Sequence, residues 1–478
     1  MEKSLLKKLE KLILVLLAIF AGYIVFYNLG NSYLENWDEA WYGDIIRNMM
    51  QQKDFIVPHW NKLVLLDKPP LFMWVGSFFS SIFGLSEFSI RLPSAISAFV
   101  IIIFTTIYCY RKYGLIPSLL AFSSLALNNI FIWRARTGNI DALVSLQIFF
   151  VYFLILSKKK YKYLVLGILF ALIYLTKASL VFFPFGIFII HEFFFERKNI
   201  KKNFKKYFVL MMVFVLLSGF WLFLGSLKEG KGFIEYYLFK SDQGAASFNL
   251  SKFNFHYISY IYYSLQRRFF WVFLFGLLFS ILKIKKAENL LLILFSSLLT
   301  ILLGFGKKDN NWYLLPSMPF WTVLIGFGTY KFINFFEKYK KIKYMVILGV
   351  MTVSFYVSYK TYTVNIKSIM TSQTTANQAK MSILVNKSSD ENDQVARLDH
   401  LYPTTIYYSN RFVYASPSDA ASGSFFISRV DLIEKINKQE IKWVLGKKNE
   451  VEEFSKNFPV TNWQIFATQE DESVLKIN

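Results

Sequence analysis

The residues best suited to chemistry are two adjacent carboxylates, Asp38 and Glu39, in the stretch Asn36-Trp37-Asp38-Glu39. They stand within about three helical turns of the first long apolar run, counting ~1.5 Å of rise per residue, and that run still reads as membrane at Tyr23 to Tyr27. An ionised carboxylate takes a proton from a hydroxyl or holds a cation, and at a membrane surface either role suits a substrate on a lipid anchor. The plainer reading is a helix start, where acids offset the macrodipole. Asn36 with Glu39 three residues later has the form of a capping box, and Tyr42, Ile45, Ile46, Met49 and Met50 recur at spacings of three and four. The segment is expected to be an amphipathic helix along the membrane surface, with Asp44, Arg47, Asn48 and Gln51 on its polar face and the acid pair at its positive end.

Asp67-Lys68-Pro69-Pro70 is the second feature. Proline is accepted at helix starts, residues 71–83 are apolar but too short to span, and Gly84 is a stop signal, so a second surface helix is expected there. A lysine beside that helix start is placed to meet a phosphate, against the competing role of snorkelling to lipid headgroups. Further charges stand at the ends of apolar runs: Arg134, Arg136 and Asp141, then Lys177, then Lys307, Lys308 and Asp309. Singly each is a boundary residue; gathered on the face of the acidic loop they make a cavity of both signs, suited to a lipid phosphate and a polar sugar acceptor. Asp38, Glu39, Asp67 and Asp141 offer oxygen ligands for a hard divalent cation, whereas His59, His191, His256 and His400 lack ligand spacing. The single cysteine, Cys109, permits no intrachain disulfide.

The elements that must position these residues are membrane helices. Of 478 residues, 54% are hydrophobic, and the mean hydropathy is +0.36. Apolar runs of about 17–25 residues recur along the chain. Spans are expected at roughly 12–29, 90–110, 114–132, 142–157, 163–176, 178–195, 207–227, 269–284, 288–304, 312–331 and 344–361, the tightest join being Thr176-Lys177. The first has the basic start of a signal peptide but no small-x-small cleavage site, and reads as an uncleaved span.

The net charge of +22 is unevenly placed: residues 362–478 hold 13 basic and 14 acidic side chains, leaving +23 on residues 1–361. The excess lies in clusters at Lys3 to Lys11, Arg111/Lys112, Lys158 to Lys162, Arg197 to Lys206, Lys283 to Lys286 and Lys331 to Lys343, at every second connection. This is the positive-inside pattern, so the charge reports topology and no nucleic-acid partner is expected. It puts the amino terminus in the cytoplasm and three regions outside: residues 30–89, with seven acids; residues 228–268, rich in Tyr and Phe; and the tail from 362. Alternation at Thr405-Ile406-Tyr407-Tyr408 and Lys442-Trp443-Val444-Leu445, with a helical stretch at Asp431 to Lys438, predicts a small α/β unit in the tail. The expected fold is mostly α, a polytopic membrane protein of about 11 transmembrane helices with extracytoplasmic amphipathic helices. Residues 1–361 form its membrane domain, with catalytic loop 30–89, and residues 362–478 an extracytoplasmic α/β domain.

Asp38-Glu39-Ala40-Trp41-Tyr42, Val57-Pro58, Leu66-Asp67-Lys68-Pro69-Pro70-Leu71 and Glu87-Phe88-Ser89-Ile90-Arg91-Leu92-Pro93-Ser94 form an ordered set with later pieces. Those are Ala135-Arg136 with Asp141, Leu175-Thr176-Lys177, Trp312-Tyr313-Leu314-Leu315-Pro316 with Pro319, and in the tail Tyr402-Pro403-Thr404 and Tyr407-Tyr408 with Arg411. The set resembles bacterial relatives of dolichyl-phosphate-mannose protein mannosyltransferases, including the aminoarabinose (lipid A) transferases, which are integral-membrane glycosyltransferases of the C superfamily. The resemblance implies transfer of a sugar, with inversion, from a polyprenyl-phosphate donor such as an undecaprenyl phosphate to an acceptor outside the inner membrane. By it, Asp38 is the general base with Glu39 in support, Lys68 meets the donor phosphate, and Asp67, Arg136, Asp141, Lys177, Lys307 and Tyr313 line the substrate. The family commonly has Arg where this chain has Trp41, Glu at Asp67, where some relatives hold a metal, and Gly-Pro where this chain has Ala178-Ser179.

That chemistry is economical in residues. A sugar joined to phosphate through its anomeric carbon already has a leaving group, so one base and a few fixed cations suffice. Gly304-Phe305-Gly306-Lys307-Lys308 is not a nucleotide-binding loop. Within the enzyme class, a transferase acting on an envelope glycolipid or glycan such as lipid A competes with a protein O-mannosyltransferase. A transporter or flippase would place charges near mid-membrane and show internal repeats, and neither pattern is visible here.

Overall fold

The computed structural model describes residues 2–240, 253–307, 309–417, 423–457 and 463–477, so Lys308 and part of the expected 228–268 loop lie outside the described residues. The chain divides into two compact units. The first comprises Met1–Leu29, Leu66–Val75 and Arg91–Thr371, and the second Gly30–Leu65, Gly76–Ile90 and Ser372–Asn478.

In chain order the first ten helices are α1 (Glu2–Phe26), α2 (Asp38–Gln52), α3 (Leu71–Phe83), α4 (Glu87–Tyr113), α5 (Leu115–Ala126), α6 (Asn129–Arg136), α7 (Ile140–Leu156), α8 (Lys162–Thr176), α9 (Phe182–Phe195) and α10 (Ile200–Glu229). Further helices at Arg268–Ile281, Ala287–Gly304, Met318–Phe335 and Lys340–Thr361 complete the first unit's long elements. Among the described residues six helices are long and apolar enough to cross a membrane, and eight if two bent pairs each count as one span. The bent pairs are α5 with α6, at 60°, and His256–Ser264 with Arg268–Ile281, at 110°. The protein is therefore polytopic and mostly helical, with fewer qualifying spans than the eleven expected. Two of the expected crossings, α7 and α8, are apolar but shorter than a full span. The tight join at Thr176-Lys177 is present: one 3-10 turn, Ala178–Val181, separates α8 from α9. Close helix packing elsewhere depends on glycine, since a Cβ on Gly276 would strike the Leu324 carbonyl and one on Gly328 the Val272 carbonyl.

The second unit is built on a five-stranded sheet. After a short hairpin of β1 (His59–Trp60) and β2 (Leu63–Val64) come β3 (Gln394–Arg397), β4 (Phe412–Ala415), β5 (Ile441–Lys447), β6 (Trp463–Gln469) and β7 (Glu472–Ile477). The sheet order is β4-β3-β5-β7-β6, with β4, β3 and β5 parallel and the last two strands antiparallel additions. Ala396, Leu432, Ile436, Val444, Phe454 and Leu475 fill one core beneath it. The expected α/β tail is thus present, with β5 over Lys442 to Leu445 and a helix at Arg429–Asn437. Thr405 to Tyr408, expected as strand, lies instead in a helix, Pro403–Ser409. Pro403 sets φ at its start, and every residue in it is buried, so the apparent alternation marks no exposed face.

Candidate active site

Asp38 and Glu39 open α2 in the second unit. Trp37, in the N-cap position, has a left-handed φ of 66° and gives no side-chain cap. The expected Asn36 capping box does not form. Asn36 instead donates to Gln378 Oε1 at 2.7 Å and accepts from the Thr404 N–H at 3.2 Å. Glu39, buried, reaches back with Oε2 to accept the Glu35 N–H at 2.8 Å. Asp38 is half-buried in the same first turn.

The rest of α2 departs from the expected surface helix, because both faces are covered. Ile45, Ile46 and Met49 are buried, but so are Asp44, Arg47 and Asn48, which the sequence places on a solvent face. Arg47 pairs with Asp44 and donates to the Tyr407 carbonyl, and its guanidinium lies 5.2 Å from the Tyr407 ring centre. Asp44 Oδ2 also accepts from the Asn61 N–H at 2.8 Å and from Asn48 Nδ2 at 3.1 Å. Burial pushes the Asp44 carboxyl above its ordinary range, with Arg47, Asn61 and Asn48 pulling the other way. Asn61 in turn exchanges two hydrogen bonds of 2.9 Å with the Val413 backbone on β4. A polar seam therefore fixes the acid-bearing helix to the tail.

Tyr408 adds a second tie. Its hydroxyl accepts the Leu34 N–H at 2.8 Å and donates to Glu87 Oε1 at 2.7 Å. Arg411 is spent on the carbonyls of Asn386 and Ser389, at 3.2 and 2.8 Å. Tyr407, Tyr408 and Arg411, noted in the sequence for their pattern, thus act as positioning groups.

In the first unit, Asp141 is the centre of a charged cluster. Asn139 caps α7, its side chain accepting the Asp141 N–H at 2.9 Å, and so orients the carboxylate. Arg134 meets Asp141 Oδ2 through Nε at 3.0 Å and also through Nη2, and its guanidinium lies beside the edge-to-face pair of Trp133 and Trp312, 5.2 and 5.3 Å from their ring centres. Lys177, directly after α8, stands 3.9 Å from Asp141 Oδ1 and 4.3 Å from the Tyr313 ring centre. Lys68 contacts Asp67 Oδ1 at 3.1 Å. Its carbonyl accepts from the Tyr237 hydroxyl at 3.3 Å, while the Tyr237 carbonyl accepts from Tyr174 on α8 at 3.3 Å. Tyr237 thereby ties the Lys68 turn to the end of α8 that precedes Lys177.

Two expected members stand apart. Arg136 is buried and donates to the carbonyls of Ile24 and Val25, at 2.8 and 3.1 Å, in the last turn of α1. Its neighbour in that role is Arg91, which donates to the Leu29 carbonyl at 2.7 Å. Lys307 is exposed, and nearby Asp309 pairs with His256 at 2.7 Å. Arg134 and Trp312 are the gains: the sequence marks Arg134 only as a span-end charge, and Trp312, which packs on Trp133 beside it, comes from far along the chain. Among the described residues no three His, Cys, Asp or Glu side chains come together as a metal site.

Over residues 67–223 the chain matches the family described as dolichyl-phosphate-mannose-protein mannosyltransferase. The crystal structure of ArnT from Cupriavidus metallidurans bound to undecaprenyl phosphate superposes with a TM-score of 0.77 over 96% of this chain and 97% of that one, at 14% identity. The chain has the fold of that ArnT structure. The resemblance seen in the motifs and the superposition agree on this fold. In sequence, an uncharacterized protein of Aquifex aeolicus is 27% identical over 355 residues, covering 72% of this chain and 68% of that protein. The undecaprenyl phosphate-alpha-4-amino-4-deoxy-L-arabinose arabinosyl transferase of Wigglesworthia glossinidia brevipalpis is 28% identical over 236 residues, 47% of this chain and 42% of that enzyme. The match thus spans less than half the length of that enzyme.

Proposed function

We propose that this protein is an inverting glycosyltransferase that moves a sugar from a polyprenyl-phosphate donor to an acceptor outside the cytoplasmic membrane, an envelope glycolipid such as lipid A. The observation that carries the reading is the buried Asp141 carboxylate met by two cations, Arg134 and Lys177, with the Lys68–Asp67 pair on a turn that Tyr237 ties to the end of α8, on the fold of the ArnT structure solved with undecaprenyl phosphate. Asp38 takes the proton of the acceptor hydroxyl as its oxygen bonds to the anomeric carbon. The bond from that carbon to the phosphate oxygen breaks, and polyprenyl phosphate leaves with the electron pair. One displacement inverts the centre. Lys68 and Lys177 offset the charge developing on the phosphate, and Tyr313, under Lys177, holds that ammonium in place. Base catalysis of this kind is worth about 10²–10⁴-fold.

In this reading Arg134 and Asp141 shape the donor pocket and Arg136 fixes the end of α1. The eleven crossings, the cytoplasmic amino terminus, and residues 362–478 as an extracytoplasmic domain belong to the same proposal, supported by the alternation of basic clusters. Impermeant thiol labelling tests the topology: cysteines placed at Lys53 and Asn410 should react from outside, and those at Lys159 and Lys202 should not. Mass spectrometry of envelope glycolipids and glycoproteins from a deletion strain tests the acceptor. Loss of a sugar from a glycolipid supports the proposal, and loss confined to glycoproteins replaces it with protein O-mannosyl transfer. An unchanged envelope, with lipid-linked sugar mislocalised, would point to a flippase.

A further inference from the structure

Helices α7 and α8 run in opposite directions along the chain and join two polar regions of the first unit. Asp141 begins α7 and Lys177 follows α8, while Leu156 ends α7 and Lys162 begins α8. With 17 residues in α7, these ends are about 25 Å apart at ~1.5 Å per residue. At the Leu156–Lys162 end lies a cavity of ≈ 680 Å³. We propose that this cavity binds a multiply charged phosphate-bearing anion: an anionic phospholipid headgroup, or a soluble phosphate compound of the same chemistry.

The cavity has a built polar floor. Lys162, His191 and Asn203 line it and are buried. The carboxylate beneath, Glu192, is also buried, and its oxygens meet the Tyr207 and Tyr163 hydroxyls at 2.6 and 3.1 Å, His191 Nδ1 at 3.2 Å and Lys162 Nζ at 3.6 Å. Four donors around one carboxylate leave it little charge with which to repel an anion. Asn203 donates to the Tyr163 hydroxyl at 3.3 Å and accepts from Lys206 at 2.9 Å, which sets the wall.

The rim is lysine: Lys158, Lys159, Lys160, Lys202 and Lys286 all line the cavity and are exposed. Its acids are engaged, Glu288 by Lys112 and Tyr108 and Glu196 by Asn199 at 2.8 Å. Membrane topology accounts for lysines between spans. It does not require lysines from three separate connections to converge on one cavity with a hydrogen-bonded floor. Lysines are attracted to anionic lipid headgroups, and a headgroup phosphate in such a pocket meets several of them at once.

The inference rests on the cavity alone and holds whichever way the chain is oriented, so its failure would leave the proposed transfer untouched. The experiment uses full-length protein in detergent. Native mass spectrometry and thermal unfolding are run with cardiolipin, phosphatidylglycerol, phosphatidylcholine and inorganic pyrophosphate, on the wild type and a Lys158→Gln/Lys159→Gln/Lys202→Gln variant. Saturable binding of an anionic lipid or of pyrophosphate, weakened at least about tenfold in the variant, supports the site, and the probe that binds identifies the source. Arginine at the same three positions should retain it. Equal binding to wild type and variant, or phosphatidylcholine bound as well as the anionic lipids, overturns the proposal.

Discussion

The Glu39 carboxylate accepts the backbone N–H of Glu35 at 2.8 Å, across the turn that opens α2. Glu39 is thereby committed to holding the helix start, and Asp38 beside it is the carboxylate assigned to the acceptor proton. The two acids should separate on substitution. Asp38→Asn keeps the shape but cannot take a proton, so transfer of labelled sugar should fall by at least about 10²-fold with the melting temperature unchanged. Glu39→Gln leaves an amide oxygen for Glu35 and should cost far less. Near-wild-type turnover in folded Asp38→Asn enzyme would remove Asp38 from the role and make Asp141 the next candidate.

Lys68→Ala should raise the donor KM by roughly ten- to a hundredfold, the equivalent of about 1.5–3 kcal/mol for a charge-assisted contact. Lys68→Arg should restore part of it, because the charge persists while its shape changes. Donor kinetics unchanged in the alanine variant would return Lys68 to a headgroup-anchoring role.

Arg134 and Asp141 are both buried and ion-paired, so removing one partner leaves the other's buried charge less compensated. Asp141→Asn should destabilise the protein by about 3–5 kcal/mol in detergent. The double variant Arg134→Met/Asp141→Leu should recover much of the melting temperature while staying inactive. A single Asp141→Asn substitution with no thermal effect would show that the pair holds nothing together.

Tyr408→Phe removes the donor to Glu87 and the acceptor for Leu34. Its cost should be about 1–3 kcal/mol of stability, that of a buried polar group left unsatisfied. Activity should fall with it, since the same tyrosine helps hold the strand of chain leading into α2. Proteolysis within residues 30–37 should accelerate in the variant; protection equal to wild type would argue that Tyr408 is incidental.

How much could be read from the sequence follows from the range of the forces involved. Apolar runs declare membrane helices because a lipid-exposed backbone must satisfy its own hydrogen bonds within each segment. The boundaries of α2, α3, α8 and α9, the join at Thr176-Lys177 and the tail's β5 follow from such local patterns. So does the acid pair at the start of α2. The partners of each charge depend on residues far apart in the chain, and only the tertiary structure decided them. Period alone gave α2 a solvent face, but Asp44 and Arg47 satisfy each other and the Asn61 and Tyr407 backbones, so that face is buried without orphaned charge. Arg136 and Arg134 sit two residues apart with the same local signal. One caps the carbonyls of α1 and the other pairs with Asp141 beside two tryptophans, because helix ends from different parts of the chain arrive beside them. Sequence determined which charges stand at the ends of apolar runs; packing determined which partner each of them meets.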